Sequence, residues 1–256
     1  MTRMNGDSNA PAVIAGVGET LGAALARAFA PERPVALLAR STDVVDPLAA
    51  DLRDDGHDAL AVTADVTDRD AVGDAATAVR DRFGRPGVVV HNASTPGSGS
   101  VDDCTPEDFE ATWQVRAKGG FHLAKAFADD LRDTGGTLLF AGTNYATEPS
   151  GTLVDWDAAA AATRGLAQSL ARDLEPDGVH VTYVALAGTV VGTDAFGGGE
   201  RGSEGSQETE GGDDAHLVDG RMPATRVAEA LRDVATQERG AWTRELTLEP
   251  PRVDAE

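Results

Sequence analysis

Lysine is almost missing from this chain: of its 22 basic residues only Lys118 and Lys125 are lysine. Against them stand 43 acidic residues, giving a formal net charge of −21. Nucleic acid and anionic membranes are poor partners for such a surface, because binding either one rests on clustered Lys and Arg. Dense carboxylates with arginine nearly replacing lysine suit concentrated salt, where they stay solvated. The reading is a halophilic cytoplasm, with an acidic protein of ordinary origin as the alternative. Cysteine is as scarce: Cys104 stands alone, which excludes an internal disulfide and agrees with a reducing compartment. The chain has no run of 18 apolar residues and no charged-then-apolar leader, so neither a transmembrane helix nor a signal peptide is expected. His91 and His122 have no metal-ligand or Ser/Asp company of recognisable spacing, so they read as structural and no metal is expected. Tyrosine occurs only twice, at Tyr145 and Tyr183.

What the chain does have is a glycine turn between a strand and a helix. Val13 to Phe29 runs from apolar residues through Gly16, Gly18 and Gly22 to a helical pattern with Leu21, Leu25 and Phe29 on one face. Such a turn can hold a dinucleotide pyrophosphate, since glycine admits the phosphates to the backbone and the helix N–H groups point at them. Its spacing differs from G-x-G-x-x-G, and tight turns also use glycine for steric reasons alone.

Further along, apolar runs alternate with helical patterns. Strands are predicted at Pro34 to Ala39, Ala59 to Ala64, Val88 to Val90, Gly136 to Gly142, Val179 to Leu186 and Thr243 to Leu248. Helices are predicted at 45–55, at 69–83 with Thr67 or Asp68 as cap, and at 153–174. A further one spans Ala224 to Gln237. Thr105-Pro106 opens another, carried to about Arg132. This alternation implies βαβ units with right-handed crossovers. The expected fold is a single α/β domain of Rossmann type, doubly wound around a mostly parallel seven-stranded sheet over residues 11–250. Residues 1–10 and 251–256 are expected to be tails. The glycine and acid stretch 197–216 is too polar to order itself and is expected to be flexible.

The order of four pieces resembles the short-chain dehydrogenase/reductase superfamily: the glycine turn, Arg40 after the second strand, Asp65-Val66 after the third, and His91-Asn92-Ala93-Ser94 after the fourth. The resemblance covers roughly residues 11 to 250. It implies cofactor contacts at Gly16, Gly18, Gly22, Arg40, Ser41, Asp65, Val66, Asn92, Ala93 and Gly188, with Asp65 meeting the adenine. Arg40 favours NADP over NAD, because arginine pairs with a 2′-phosphate where an acidic residue would accept ribose hydroxyls. The turn departs from the family's G-x-x-x-G-x-G: Thr20 stands at the middle glycine, and Glu19 brings a negative charge that can compete with pyrophosphate. The family also implies a homodimer or homotetramer packed through the helices near 107–132 and 153–174, and a substrate lid where 197–216 lies.

The larger departure is at the chemistry. Hydride transfer to a carbonyl leaves an alkoxide that must take a proton from a group with a suitable pKa. The family uses a tyrosine, a lysine four residues on, a serine and an asparagine; the corresponding positions here are Trp156, Ala160, Thr143 and Arg116. Indole does not titrate usefully and alanine carries no charge. No Tyr-x-x-x-Lys occurs in the sequence. Tyr145, two residues past Thr143, is the candidate substitute acid, with Arg116 and Lys118 placed to lower its pKa if they face it. Trp156 reads otherwise as a groove-filling aromatic. Two functions follow: an NADP(H)-binding oxidoreductase, acting on a carbonyl or alcohol by weak or unconventional hydride transfer, and a non-catalytic pseudoenzyme serving as a binding or regulatory module.

Overall fold

A computed structural model describes residues 9–192 and 220–250. The expected segment 197–216, the first eight residues and the tail from 251 lie outside the described residues.

Seven strands form one parallel sheet: β1 (Ala12–Ala15), β2 (Val35–Ala39), β3 (Ala59–Thr63), β4 (Val88–His91), β5 (Thr137–Thr143), β6 (His180–Leu186) and, last in the chain, β9 (Glu245–Leu248). Their order across the sheet is β3-β2-β1-β4-β5-β6-β9. The chain therefore winds outward from β1 in one direction, returns, and winds outward from β4 in the other. Between β1 and β4 lies the switch point at which open α/β sheets bind ligands, outside the carboxyl ends of the strands. The central strands β1, β2 and β4 are buried along their length apart from Ala39. They read as continuous apolar runs because helices cover both faces.

One face carries α1 (Leu21–Phe29), α2 (Thr42–Asp54) and α7 (Ala224–Ala235), through Leu25, Phe29, Leu48 and Leu231. The other carries α3 (Arg69–Phe83), α5 (Gly119–Thr134) and α6 (Val154–Leu174), through Val72, Leu123, Phe127 and Ala167. Two short strands, β7 (Thr189–Val191) and β8 (Arg221–Pro223), form a separate parallel pair. Sequence periodicity did not signal them, because three residues are too few to show a period.

The helix opened by Thr105-Pro106 is not uniform. Thr105 and Asp108 form a reciprocal cap on α4 (Pro106–Trp113), and a wide π turn follows at Gln114–Lys118 before α5 begins. Such turns often mark functional sites. Here Gly119 and Gly120 follow at once: a Cβ on Gly119 would press on Val66 at 2.8 Å, and one on Gly120 on the Phe140 ring at 2.7 Å. The glycines let α5 lie against β4 and β5, which aims the π turn at their carboxyl ends.

At the start of α3, the Asp68 carboxylate accepts from the N–H groups of Asp70 and Ala71. No helix among the described residues is long and apolar enough to cross a membrane.

Candidate functional site

The glycine turn is held from below by both neighbours of β1. The N–H groups of Gly16 and Val17 donate to the Leu38 carbonyl of β2 at 3.0 and 3.1 Å. From the β4 side, Asn92 donates through its Nδ2 to the Gly16 carbonyl at 2.8 Å and through its N–H to Ala15. Gly16 has φ +92°, and a Cβ there would collide with the backbone of Ala93. A Cβ on Gly22 would come within 2.6 Å of the Val17 Cα. These two glycines are steric necessities. Gly18 is different: a Cβ there meets nothing within 4 Å, so its backbone faces open space.

That space is a groove of about 350 Å³ lined by the turn from Gly16 to Gly22, by Arg40, Asp65 and Val66, and by Asn92, Ala93 and Ser94. Thr20, at the N-cap of α1, makes no side-chain cap, and the first turn of the helix holds no acidic residue. Glu19 is exposed at the rim. Arg40 is exposed as well and forms no ion pair among the described residues. Asp65 is fixed by Thr67, whose N–H and hydroxyl both donate to its Oδ1 at 2.8 Å. Ser41 lies just outside the lining, at the N-cap of α2, with its hydroxyl uncommitted to the helix.

Asn92 and Ser94 also line a second cavity, of about 690 Å³, with Arg116, Thr143, Tyr145, Trp156, Leu186, Gly188 and Val190 around it. The two spaces thus adjoin along the ends of β4 and β5. Thr143 is buried, and its peptide is bracketed by Tyr183: the N–H of Thr143 donates to the phenol oxygen at 2.9 Å and the phenol donates to its carbonyl at 2.8 Å. Gly142 must be glycine because the Tyr183 ring occupies the place of a Cβ. Burial raises the pKa of Tyr183. Sequence reading left Tyr183 without a role; it pairs with Phe140 across β5 and β6, a register visible only in the structure.

Trp156 is half-buried, donates its indole N–H to the Thr95 carbonyl at 2.9 Å, and meets the Tyr145 ring edge-on at 5.6 Å. The Arg116 guanidinium lies over its face, 4.2 Å from the ring centre, and Arg116 Nη1 donates to the Ser94 hydroxyl in a short contact. Burial lowers the Arg116 pKa to about 10. Ala160 is fully buried and lines neither space.

His91 and His122 both serve the frame. His91 Nε2 donates to the Arg116 carbonyl at 2.8 Å, and burial lowers its pKa to about 4. His122 Nδ1 donates to the Val66 carbonyl at 2.9 Å. The loop 94–103 is pinned by Asp155, a residue that sequence reasoning passed over. Its fully buried carboxylate accepts from the Ser98 N–H, the Ser98 hydroxyl and the Thr112 hydroxyl. Among the described residues no group of three or more His, Cys, Asp or Glu could hold a metal ion.

A doubly wound sheet with a glycine-turn groove at its switch point defines a Rossmann-type protein. The sequence profile described as short chain dehydrogenase matches residues 10–198, and the chain belongs to that family of oxidoreductases. A versicolorin reductase of Emericella nidulans is 29% identical over 189 residues, covering 72% of this chain and 70% of its own. A sepiapterin reductase of Chlorobaculum tepidum is 31% identical over 145 residues, or 53% and 59% of the two chains. Among solved structures, an alcohol dehydrogenase from Thermococcus sibiricus complexed with 5-hydroxy-NADP superposes with a TM-score of 0.80. It is 24% identical, with 96% of this chain and 99% of that one covered. A metagenomic short-chain oxidoreductase in complex with NADP gives 0.76 at 23% identity, over 96% and 100% of the chains.

Proposed function

We propose that this protein binds NADP(H) in the groove between Arg40 and Asn92 and has lost the standard proton-transfer pair of its family. The observation that carries the reading is the continuity of the two spaces: one groove passes Arg40, the open backbone at Gly18, Asp65 and Asn92, and leads at Ser94 into the cavity beside Thr143. The fit of the cofactor rests on those residues. Gly18 leaves room for a pyrophosphate, the uncapped N-terminus of α1 supplies N–H groups, and Arg40 is unopposed beside the place of a 2′-phosphate. Ser41, Val66, Ala93 and Gly188 complete the set of contacts.

Bound there, the nicotinamide supplies or accepts a hydride. The chain must then manage the proton, and the residues at hand do that poorly. Trp156 has its only N–H committed to Thr95 and titrates at no useful pH. Ala160 puts no charge beside the ribose. Thr143 keeps a hydroxyl to orient a substrate oxygen, and Tyr145 is the remaining titratable hydroxyl on the cavity wall. Conventional carbonyl reduction should therefore be weak. The commitment of the Trp156 indole also favours a second reading, a pseudoenzyme that binds nucleotide without turnover.

The test is a fluorescence titration with NADPH and, separately, NADH in molar potassium chloride. NADPH is expected to bind at least about tenfold tighter than NADH, the worth of one charge-assisted contact, and Arg40→Ala to erase the difference. Absence of binding in folded protein would sink the reading. Measurable turnover of small carbonyls that Tyr145→Phe abolishes would select the oxidoreductase; its absence with NADPH bound would select the pseudoenzyme.

A further inference from the structure

Arg116 is only 6% exposed, yet it faces no carboxylate among the described residues. Of its donors, one meets the Ser94 hydroxyl, and its buried Nε has no hydrogen-bond partner at all. The π turn and the two glycines behind it deliver this side chain to the cavity wall, and the Trp156 ring beneath fixes the plane of the guanidinium. His91 donates to the Arg116 carbonyl as an uncharged imidazole, and the Tyr183 phenol is protonated. The Asp155 carboxylate, one residue before Trp156, is ionised but spent on Ser98 and Thr112, and it makes no ion pair with Arg116. A buried positive charge without a counter-charge is costly, and a planar fork of donors matches a carboxylate best.

We propose that the cavity beside Thr143 takes a carboxylate-bearing ligand whose anionic end is received by Arg116 and whose apolar body lies against Trp156, Leu186 and Val190. The inference rests on the nucleotide-binding reading in one respect: the acid is then the second substrate, or the co-ligand, beside the nicotinamide. Size fits a short aryl or alkyl acid, given a cavity of about 690 Å³. The Thr143 hydroxyl lies on the same wall, placed for a second polar group on the ligand.

The experiment is calorimetric titration of the whole protein, with and without saturating NADPH, using phenylacetate and its neutral isostere phenylacetamide. The wild-type protein is expected to bind the acid at least about tenfold tighter than the amide, as one charge-assisted fork contact requires. Arg116→Met, which keeps the apolar stem on Trp156, is expected to bring the ratio to near one, and Arg116→Lys to leave it in between. The acid-to-amide ratio in wild type decides the matter even if a variant fails to fold. Equal affinity for acid and amide would overturn the proposal, and so would tighter binding of inorganic phosphate than of phenylacetate. Should NADPH fail to bind while the acid binds through Arg116, the nucleotide reading falls and this one stands. NADPH binding with no preference for the acid gives the reverse.

Discussion

Two glycines of the same turn are held to different requirements. Gly16 combines φ +92° with a backbone neighbour where its Cβ would be, whereas Gly18 looks into an open groove. Gly16→Ala is therefore expected to cost about 2 kcal/mol or more in unfolding free energy. Gly18→Ala should leave stability within ~0.5 kcal/mol and weaken NADPH binding instead; thermal unfolding and ligand titration on both variants check the contrast. His91 allows a second test at this scale. Burial lowers its folded pKa to about 4, against an ordinary value of 6.5. The unfolded chain thus binds more protons between these values, and stability falls as pH drops from 6.5 towards 4, by up to about 3 kcal/mol. His91→Gln keeps a donor for the Arg116 carbonyl and does not titrate. Denaturant unfolding at pH 7 and pH 4.5 is expected to show a smaller loss for the variant than for wild type, and equal losses would contradict the assignment.

At the scale of elements, the amino end of α6 is tied to α4 and to the loop after β4 by one carboxylate. Burial alone would raise the Asp155 pKa, but hydrogen bonds from Thr112 and Ser98 outweigh it and hold the group below the ordinary range. Its stabilising contribution is present at neutral pH and is lost as pH falls through that lowered value. Asp155→Ala leaves buried donors without acceptors and is expected to destabilise by about 3 kcal/mol. It should also raise amide exchange in 94–103 and at the start of α6, while leaving the core of β1 and β4 unchanged. The sequence was legible where periodicity and caps are strong: α3 begins and ends at the predicted residues because Asp68 caps it and Gly84 stops it. Strand bounds shifted by a residue or two: β4 and β5 run one residue further, to His91 and Thr143, and β9 begins at Glu245 rather than Thr243, because ladder pairing and not hydropathy sets where a strand ends. The π turn was not legible, and the groups that Gly119 and Gly120 after it make room for, Val66, His91 and Phe140, lie on other elements. That Arg40, Asp65 and Asn92 line one groove with the glycine turn was expected from the family resemblance, since spacing alone left the turn ambiguous. The Arg116–Trp156 stack was not, for the two are far apart in sequence: Arg116 reads only as a replacement for the family's asparagine beside Tyr145, and Trp156 as a groove filler.

The molecule as a whole carries a charge of −21, and part of it sits where local electrostatics opposes it. Helix α2 ends in Asp51, Asp54 and the capping Asp55, all exposed, with no ion pair holding them among the described residues. Carboxylates at a helix C-terminus face the negative end of the dipole, at a cost of about 0.3–1 kcal/mol each at low ionic strength. They also repel one another across less than the ~10 Å Debye length of 0.1 M salt, which contracts to about 3 Å at 1 M. Replacing the three by Asn removes both penalties without touching the core face of Val45, Leu48 and Leu52. The triple variant Asp51→Asn, Asp54→Asn, Asp55→Asn is expected to unfold about 3–6 °C above wild type in 0.1 M potassium chloride, as ~1–2 kcal/mol implies for a domain of this size. In 2 M salt that advantage should vanish, because screening has already relieved the wild type. A constant advantage at all salt concentrations would mean that side-chain propensity and not charge governs the helix end. An advantage that shrinks with salt would show that charge repulsion, screened by electrolyte, sets the stability of this helix end, the behaviour expected of the halophilic reading.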